Sequence, residues 1–174
     1  MTLPRLTLVL GGAASGKSAF AESLVLQGNL APIYIATAQV YDDEMAAKVS
    51  RHQGLRGTEW TTIEEPRAVA ERLGQITAKQ VVLIDCATLW LTNIMLGRLD
   101  IACESAGLIS ALCTCRGPVV VVSNEVGQGI VPENALSRSF RNAQGTLNQS
   151  IATEADLVVA VMAGLPLVLK GELP

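Results

Sequence analysis

The sequence predicts an α/β fold, a mostly parallel sheet flanked by helices, and two observations carry that expectation. Short β-rich apolar runs alternate with stretches of helical periodicity, the pattern of parallel strands joined by helical crossovers. The first apolar run, Leu6 to Leu10, leads directly into a glycine-rich turn and then a helical stretch. At 174 residues the chain is expected to form one domain, residues 1–174, with a sizeable core.

Strands are predicted over Leu6 to Leu10, Ile33 to Ala36, Val81 to Asp85, Val119 to Ser123 and Leu157 to Met162, each short and rich in branched side chains. Leu167 to Lys170 is the candidate for an antiparallel C-terminal edge. Helices are predicted over about Lys17 to Gln27, Asp43 to Leu55, Pro66 to Thr77, Leu89 to Leu96 and Ile101 to Cys115. Asp42 or Asp43 can cap the second of these. Pro66 suits a first turn, where its missing N–H has no partner to lose. Asn134 to Ala143 and Thr146 to Glu154 read as two helices separated by Gly145.

The turn after the first strand reads Gly11-Gly12-Ala13-Ala14-Ser15-Gly16-Lys17-Ser18, a complete G-x-x-x-x-G-K-[ST] phosphate loop. Glycines let the backbone curl until successive N–H groups point at anionic oxygens, and the following helix aims its positive end at the same place. Lys17 is placed for the β and γ phosphates, and Ser18 for Mg²⁺. The fold class is therefore a P-loop NTPase, RecA-like in its flanked parallel sheet, with ATP or GTP as ligand. The alternative for the loop is a glycine-rich turn that only joins strand to helix.

Val81-Val82-Leu83-Ile84-Asp85 is an apolar strand ending in a carboxylate, the pattern of the acidic residue that helps hold Mg²⁺ in phosphate-loop proteins. An Asp at a strand end can also simply cap the next element, so Asp85 gains its metal reading from the loop upstream. His52 is the single histidine, and it shares a helical face with Met45 and Val49. Spacing alone leaves it a packed helix histidine or a functional one.

Composition narrows the function classes. The net charge is −3 and no Lys/Arg run occurs, which argues against nucleic acid as the main partner. Apolar residues make up 49% of the chain, yet the longest runs fall well short of a bilayer span. The first residues lack the basic and apolar regions of an export signal, so a cytoplasmic location is expected. The four cysteines then read as free thiols, since Cys113-Thr-Cys115 lacks a metal or redox spacing.

Six blocks, GGAASGKS, YIATA at 34–38, DDEMAAKVSRHQGLR at 42–56, W-x-T-x-E at 60–64, IDCATLWLTN at 84–93 and SNEVGQGIVPENALSRSFRNAQGTLNQ at 123–149, occur in order along the chain. Together they resemble the bifunctional adenosylcobinamide kinase and adenosylcobinamide-phosphate guanylyltransferase family of cobalamin biosynthesis, and the resemblance extends over ADLVVAVMAGLPLVLK at 155–170. It implies two reactions, phosphorylation of the adenosylcobinamide hydroxyl and transfer of GMP from GTP through a guanylylated histidine to adenosylcobinamide phosphate. His52 matches that histidine.

The same resemblance implies nucleotide contacts at the loop residues 11–18, at Ala36, Thr37 and Ala38, at Gln53, Gly54, Leu55 and Arg56, at Glu64 and at Asp85, and a homotrimeric assembly. A neutral imidazole is nucleophilic near neutral pH, which suits the role given to His52. Thr37 can alternatively end a strand, Glu64 and Glu65 can be first-turn acids before Pro66, and Arg56 can be a solvated cation. Asn124 and Glu125 can face the nucleotide or the corrinoid arm, and Arg138 and Arg141 can pair with phosphate or with another subunit. The chain departs from the family pattern in carrying Ala14 for an Arg, Asn142 for an Asp and Arg51 for a second histidine. Two other readings stay open, a small-molecule kinase without guanylyltransferase activity and a nucleotide-dependent regulatory protein.

Overall fold

The computed structural model describes residues 2–39, 57 and 59–174. The helix expected over Asp43 to Leu55, with its caps and His52, lies outside the described residues, as do Gln53, Gly54, Leu55 and Arg56. Strand β1 (Leu6–Gly11) is followed by α1 (Lys17–Leu26), β2 (Ala31–Ala36), β3 (Thr61–Glu64), α2 (Val69–Gly74), β4 (Gln80–Asp85) and α3 (Ala87–Leu96). Then come α4 (Ile101–Thr114), β5 (Val119–Asn124), α5 (Ala135–Glu154), β6 (Leu157–Met162) and β7 (Leu165–Lys170).

The strands form one sheet in the order β3-β2-β4-β5-β1-β6-β7. Every pairing is parallel except β6 with β7, so the sheet has the expected antiparallel C-terminal edge. Strand side chains alternate between two faces. Leu6, Leu8, Ile33, Ile35, Val82, Ile84, Val119 and Val121 pack with Val69, Leu73, Trp90, Leu91, Ile94, Leu108, Leu112, Leu147 and Ile151, so α2 to α5 share one face. Val9, Tyr34, Val81, Leu83, Val120 and Val122 pack on the other with Ala21, Leu24 and Val25 of α1. Branched residues buried on both faces account for the nearly unbroken apolar runs of the inner strands.

Local chemistry sets the helix starts. Asp100 accepts hydrogen bonds from the N–H groups of Ala102 and Cys103, and Asn134 Oδ1 accepts from Ser137 N at 2.7 Å. The helix expected from Pro66 to Thr77 is only Val69–Gly74, and the N–H groups of Arg67 and Ala68 ahead of it donate to the Glu65 carboxylate.

Two expectations are corrected. Thr61–Glu64 is a strand the sequence reading does not anticipate: it has four residues, three of them exposed, and sits at the sheet edge beside β2, so burial imprints no apolar run on it. The two helices expected either side of Gly145 are one, Ala135–Glu154. A glycine inside a helix costs only about 1 kcal/mol, and burial of Gln144, Leu147, Asn148 and Ile151 on the sheet outweighs that cost.

Candidate active site

The site lies at the carboxyl ends of the central strands. The phosphate loop leaves β1, and Gly16 enters α1 in the left-handed region with φ 93°. A side chain at Gly16 would stand 3.0 Å from Gly164 Cα, and one at Gly11 would meet Ser15 Oγ and the Val161 carbonyl. Both glycines are thus required by close approach. The turn between β6 and β7 braces the loop, with Gly164 N donating to the Ser15 carbonyl at 2.8 Å. Lys17 is buried and donates from Nζ to the Gly12 carbonyl at 3.0 Å. No side chain caps the start of α1, and its first turn holds no acidic residue. A polyphosphate would meet the N–H groups and positive end of α1 there.

Asp85 ends β4, in register with Ala36 of β2 and Val122 of β5. Its Oδ2 accepts a hydrogen bond from the hydroxyl of buried Tyr34 at 3.0 Å, and the Tyr34 ring meets Trp60 edge-on with centroids 6.0 Å apart. Mg²⁺ takes oxygen donors and keeps several waters. The Ser18 hydroxyl in the first turn of α1 and the Asp85 carboxylate at the end of β4, with only β5 between β4 and β1, are such donors, so this pair fits the ion. Among the described residues no group of three or more His, Cys, Asp or Glu side chains forms an all-protein metal cage.

Thr37 and Ala38 follow β2 on the same edge. The Thr37 hydroxyl turns inward, donating to the Cys86 carbonyl and accepting from Cys86 N, both at 2.8 Å. Asn93 Nδ2 ties the Thr37 carbonyl to that of Pro66, at 2.8 and 3.0 Å. The segment that follows Asp85 is therefore clamped to the end of β2. Burial, and secondly the negative charge of Asp85, push the Cys86 thiol up to about 11, so it remains protonated and unreactive at neutral pH.

The two neighbouring glutamates separate into different roles. Glu64 is exposed at the end of β3, level with Ala36. Glu65 lies ahead of α2, whose first-turn acid is Glu71; the Glu65 carboxylate accepts from Ala68 N at 2.9 Å and Arg67 N at 3.3 Å, and pairs with Arg72 at 3.1 Å. Desolvation raises its pKa, but these hydrogen bonds and the Arg72 charge outweigh it and hold the carboxyl below its ordinary value. Arg138 spends its guanidinium on the carbonyls of Pro132 and Glu133, closing the segment that leads into α5.

Strand β5 runs between β1 and β4, and its end carries a polar group that the sequence reading leaves without a role. Ser123 and Asn148 bond at 2.6 Å, and Gln144 Nε2 donates to both at 2.9 Å. Asn148 Nδ2 donates to the Asn124 carbonyl at 3.1 Å, and Asn124 N donates to Thr88 Oγ1 at 2.8 Å. The signal was present in the sequence: Gln144 and Asn148 fall on the same helical face as Leu147 and Ile151, so two amides interrupt an apolar stripe.

A phosphate loop on β1, a carboxylate on β4 and a flanked parallel sheet define a P-loop nucleotide-binding protein. The fold is similar to that of the RadB recombinase, with a TM-score of 0.52 at 17% identity over 91% of this chain and 75% of that one. Residues 7–169 match the family described as cobinamide kinase / cobinamide phosphate guanyltransferase, and the chain belongs to that family. It is 45% identical to the bifunctional adenosylcobalamin biosynthesis protein CobP of Pseudomonas aeruginosa, over 95% of this chain and 97% of that protein. It is 39% identical to the bifunctional adenosylcobalamin biosynthesis protein CobU of Escherichia coli, over 94% and 98%.

Proposed function

We propose that this protein phosphorylates adenosylcobinamide with ATP or GTP and then converts the product to adenosylcobinamide-GDP by way of a guanylylated His52. In the first reaction the alcohol oxygen of the aminopropanol arm attacks the γ phosphorus, the bond to the β-phosphate bridging oxygen breaks, and the alcohol proton passes to solvent. In the second, an imidazole nitrogen of His52 attacks the α phosphorus of GTP and pyrophosphate leaves. A phosphate oxygen of adenosylcobinamide phosphate then attacks the same phosphorus, the N–P bond breaks, and free imidazole returns.

Residues 11–18 cradle the phosphates, with Lys17 on the β and γ groups. By family resemblance the nucleotide contacts extend to Ala36, Thr37, Ala38 and Glu64 at the ends of β2 and β3, and to Gln53, Gly54, Leu55 and Arg56, which follow His52 in the sequence. Thr37 would act by holding the segment after Asp85 in place, since its hydroxyl, N–H and carbonyl are all committed to Cys86, Asp85 and Asn93. Mg²⁺ held by Ser18 and Asp85 would neutralise charge on the polyphosphate.

The observation that carries the reading is the placement of the loop and Asp85 at the carboxyl ends of the central strands in a chain of this family. The alcohol, adenosylcobinamide and its phosphate enter as substrates by that membership. A homotrimer is part of the proposal, supported by a C-terminal edge that exposes Met162, Leu165 (72% exposed), Leu167 and Leu169 on β6 and β7. The cytoplasm suits the four free thiols, and no described helix is long and apolar enough to cross a membrane.

GTP labelled at the α phosphate tests the reading. We expect an acid-labile, base-stable label on the protein, absent from His52→Asn, and adenosylcobinamide converted to its GDP form. Phosphorylated adenosylcobinamide with no labelled protein would leave a kinase alone. Nucleotide hydrolysis with adenosylcobinamide unchanged would point to a regulatory protein.

A further inference from the structure

The end of β5 carries a buried acceptor that the fold holds in place and leaves without a partner. Asn124 stands level with Gly11, the first glycine of the phosphate loop, while Asp85 stands level with Val122 two residues earlier on the same strand. Neighbouring strands lie about 4.8 Å apart, so Asn124 sits one strand from the loop and one strand from the carboxylate. Alternation fixes its direction. Val120 and Val122 pack on the α1 face, and Asn124 shares their parity, as Asp85 shares that of Val81 and Leu83. Ser123 has the opposite parity and bonds to Gln144 and Asn148 of α5. The Asn124 side chain is therefore on the side where α1 and the loop lie.

Its backbone is fixed at both polar atoms, N–H to Thr88 Oγ1 and carbonyl to Asn148 Nδ2. The supporting side chains are almost wholly buried: Ser123 and Gln144 are 0% exposed and Asn148 is 7% exposed. Asn124 Oδ1 is buried and has no hydrogen-bond partner. Buried polar atoms nearly always have one, and an exception calls for an explanation. An acceptor needs a donor. Phosphate oxygens at the loop offer none at neutral pH, whereas an alcohol does.

We propose that Asn124 orients the acceptor alcohol of the kinase reaction, its Oδ1 accepting a hydrogen bond from the hydroxyl whose oxygen attacks the γ phosphorus. Thr88, Ser123, Gln144 and Asn148 are positioning residues that set the Asn124 backbone. The inference rests on the kinase half of the proposed function and adds the residue that orients the attacking hydroxyl at the terminal phosphate. Guanylylation of His52 involves no alcohol, so Asn124 has no part in it.

The test is Asn124→Ala in the full chain, with Asn124→Ser as a second variant. Both leave the backbone bonds to Thr88 and Asn148 in place. We expect phosphorylation of adenosylcobinamide, as kcat/KM, to fall roughly 10- to 100-fold, the effect of losing orientation at the reacting atom. Self-labelling by α-labelled GTP and affinity for a fluorescent GTP analogue should stay within about twofold, as for a group outside that step. Equal loss of phosphorylation and labelling overturns the assignment, because a general structural role predicts that. So does unchanged phosphorylation, and so does recovery of turnover at raised Mg²⁺, which would give the acceptor to a metal-bound water. Wild-type protein that labels itself but never phosphorylates adenosylcobinamide removes the kinase reading, and the assignment with it.

Discussion

Tyr34 reaches from β2 across to β4, and its hydroxyl donates to Asp85 Oδ2 at 3.0 Å. The ring is buried and braced edge-on by Trp60, so the bond fixes the rotation of the carboxylate at low mobility. Groups that orient a metal ligand typically change metal affinity or activity 10- to 100-fold when removed. We expect Tyr34→Phe to raise the Mg²⁺ needed for half-maximal nucleotide binding by about tenfold, measured by titrating Mg²⁺ against a fluorescent GTP analogue. Binding of the metal-free nucleotide should change little. An unaltered Mg²⁺ midpoint would mean that Tyr34 only packs.

The contact between Gly16 and Gly164 joins the phosphate loop to the turn that precedes the exposed edge strand β7. Gly16→Ala adds a Cβ 3.0 Å from Gly164 Cα at a residue with φ 93°. Strain of this kind costs on the order of 1–3 kcal/mol. Part of it falls on the loop itself, so nucleotide affinity should drop by about tenfold or more and the melting temperature should fall. Calorimetric titration with GTP and a thermal melt measure the two effects. Wild-type affinity in a folded Gly16→Ala would show that the turn does not set the loop.

The phosphate loop and Asp85 were legible in the sequence as local signals, whereas His52 and residues 53–56 lie outside the described residues. The loop is a contiguous motif, and Asp85 ends an apolar run whose burial on both faces leaves an unmistakable pattern. Strand β3 was not legible, since an exposed four-residue edge carries no burial signal. Nor was the Tyr34–Asp85 bond, which depends on the register of β2 with β4 and not on spacing. Gly145 misled for a different reason: glycine marks breaks by propensity, a weak effect that tertiary packing overrides. That leads to a measurable consequence. A Cβ at Gly145 meets nothing within 4 Å inside a continuous helix. Gly145→Ala should therefore raise unfolding stability by about 0.5–1 kcal/mol, seen as a higher denaturant midpoint with an unchanged slope. A loss of stability would mean that the helix bends at this residue.

Glu65 gives the fold a defined pH dependence. Its carboxyl is held below the ordinary 4.5 because the folded state stabilises the ionised form. A depressed carboxyl contributes stability that is fully present above the unfolded value and is lost as pH falls through the folded one. The contribution should therefore be constant near neutrality and fade progressively below about pH 4.5. We expect Glu65→Gln to lower stability by about 1 kcal/mol at pH 7, the scale of weakened hydrogen bonds to a charged group, with the gap to wild type narrowing in acid. Urea unfolding of both proteins from pH 7 to pH 3 tests this. A gap that stays constant across the range would assign the effect to packing.

The Thr37 hydroxyl is the hinge pin between the end of β2 and the segment after Asp85, since one oxygen serves both backbone groups of Cys86. Thr37→Val keeps the shape and removes that oxygen, leaving the buried Cys86 N–H without a partner, while the Cys86 carbonyl keeps its bond from Trp90 N at 3.1 Å. Such an unpaired group costs about 1–3 kcal/mol, so a loss of stability of that size is expected together with weaker Mg²⁺-dependent nucleotide binding, because Asp85 immediately precedes the released residue. Thr37→Ser keeps the oxygen and loses only a methyl group. Its stability should lie within about 1.5 kcal/mol of wild type, and its nucleotide affinity should be close to normal. The pair separates two roles for this position. If Thr37→Ser restores binding, the oxygen acts through Cys86 and the backbone. If Thr37→Val proves as stable as wild type yet binds nucleotide poorly, the hydroxyl must instead reach the ligand directly, and the clamp on Cys86 is dispensable.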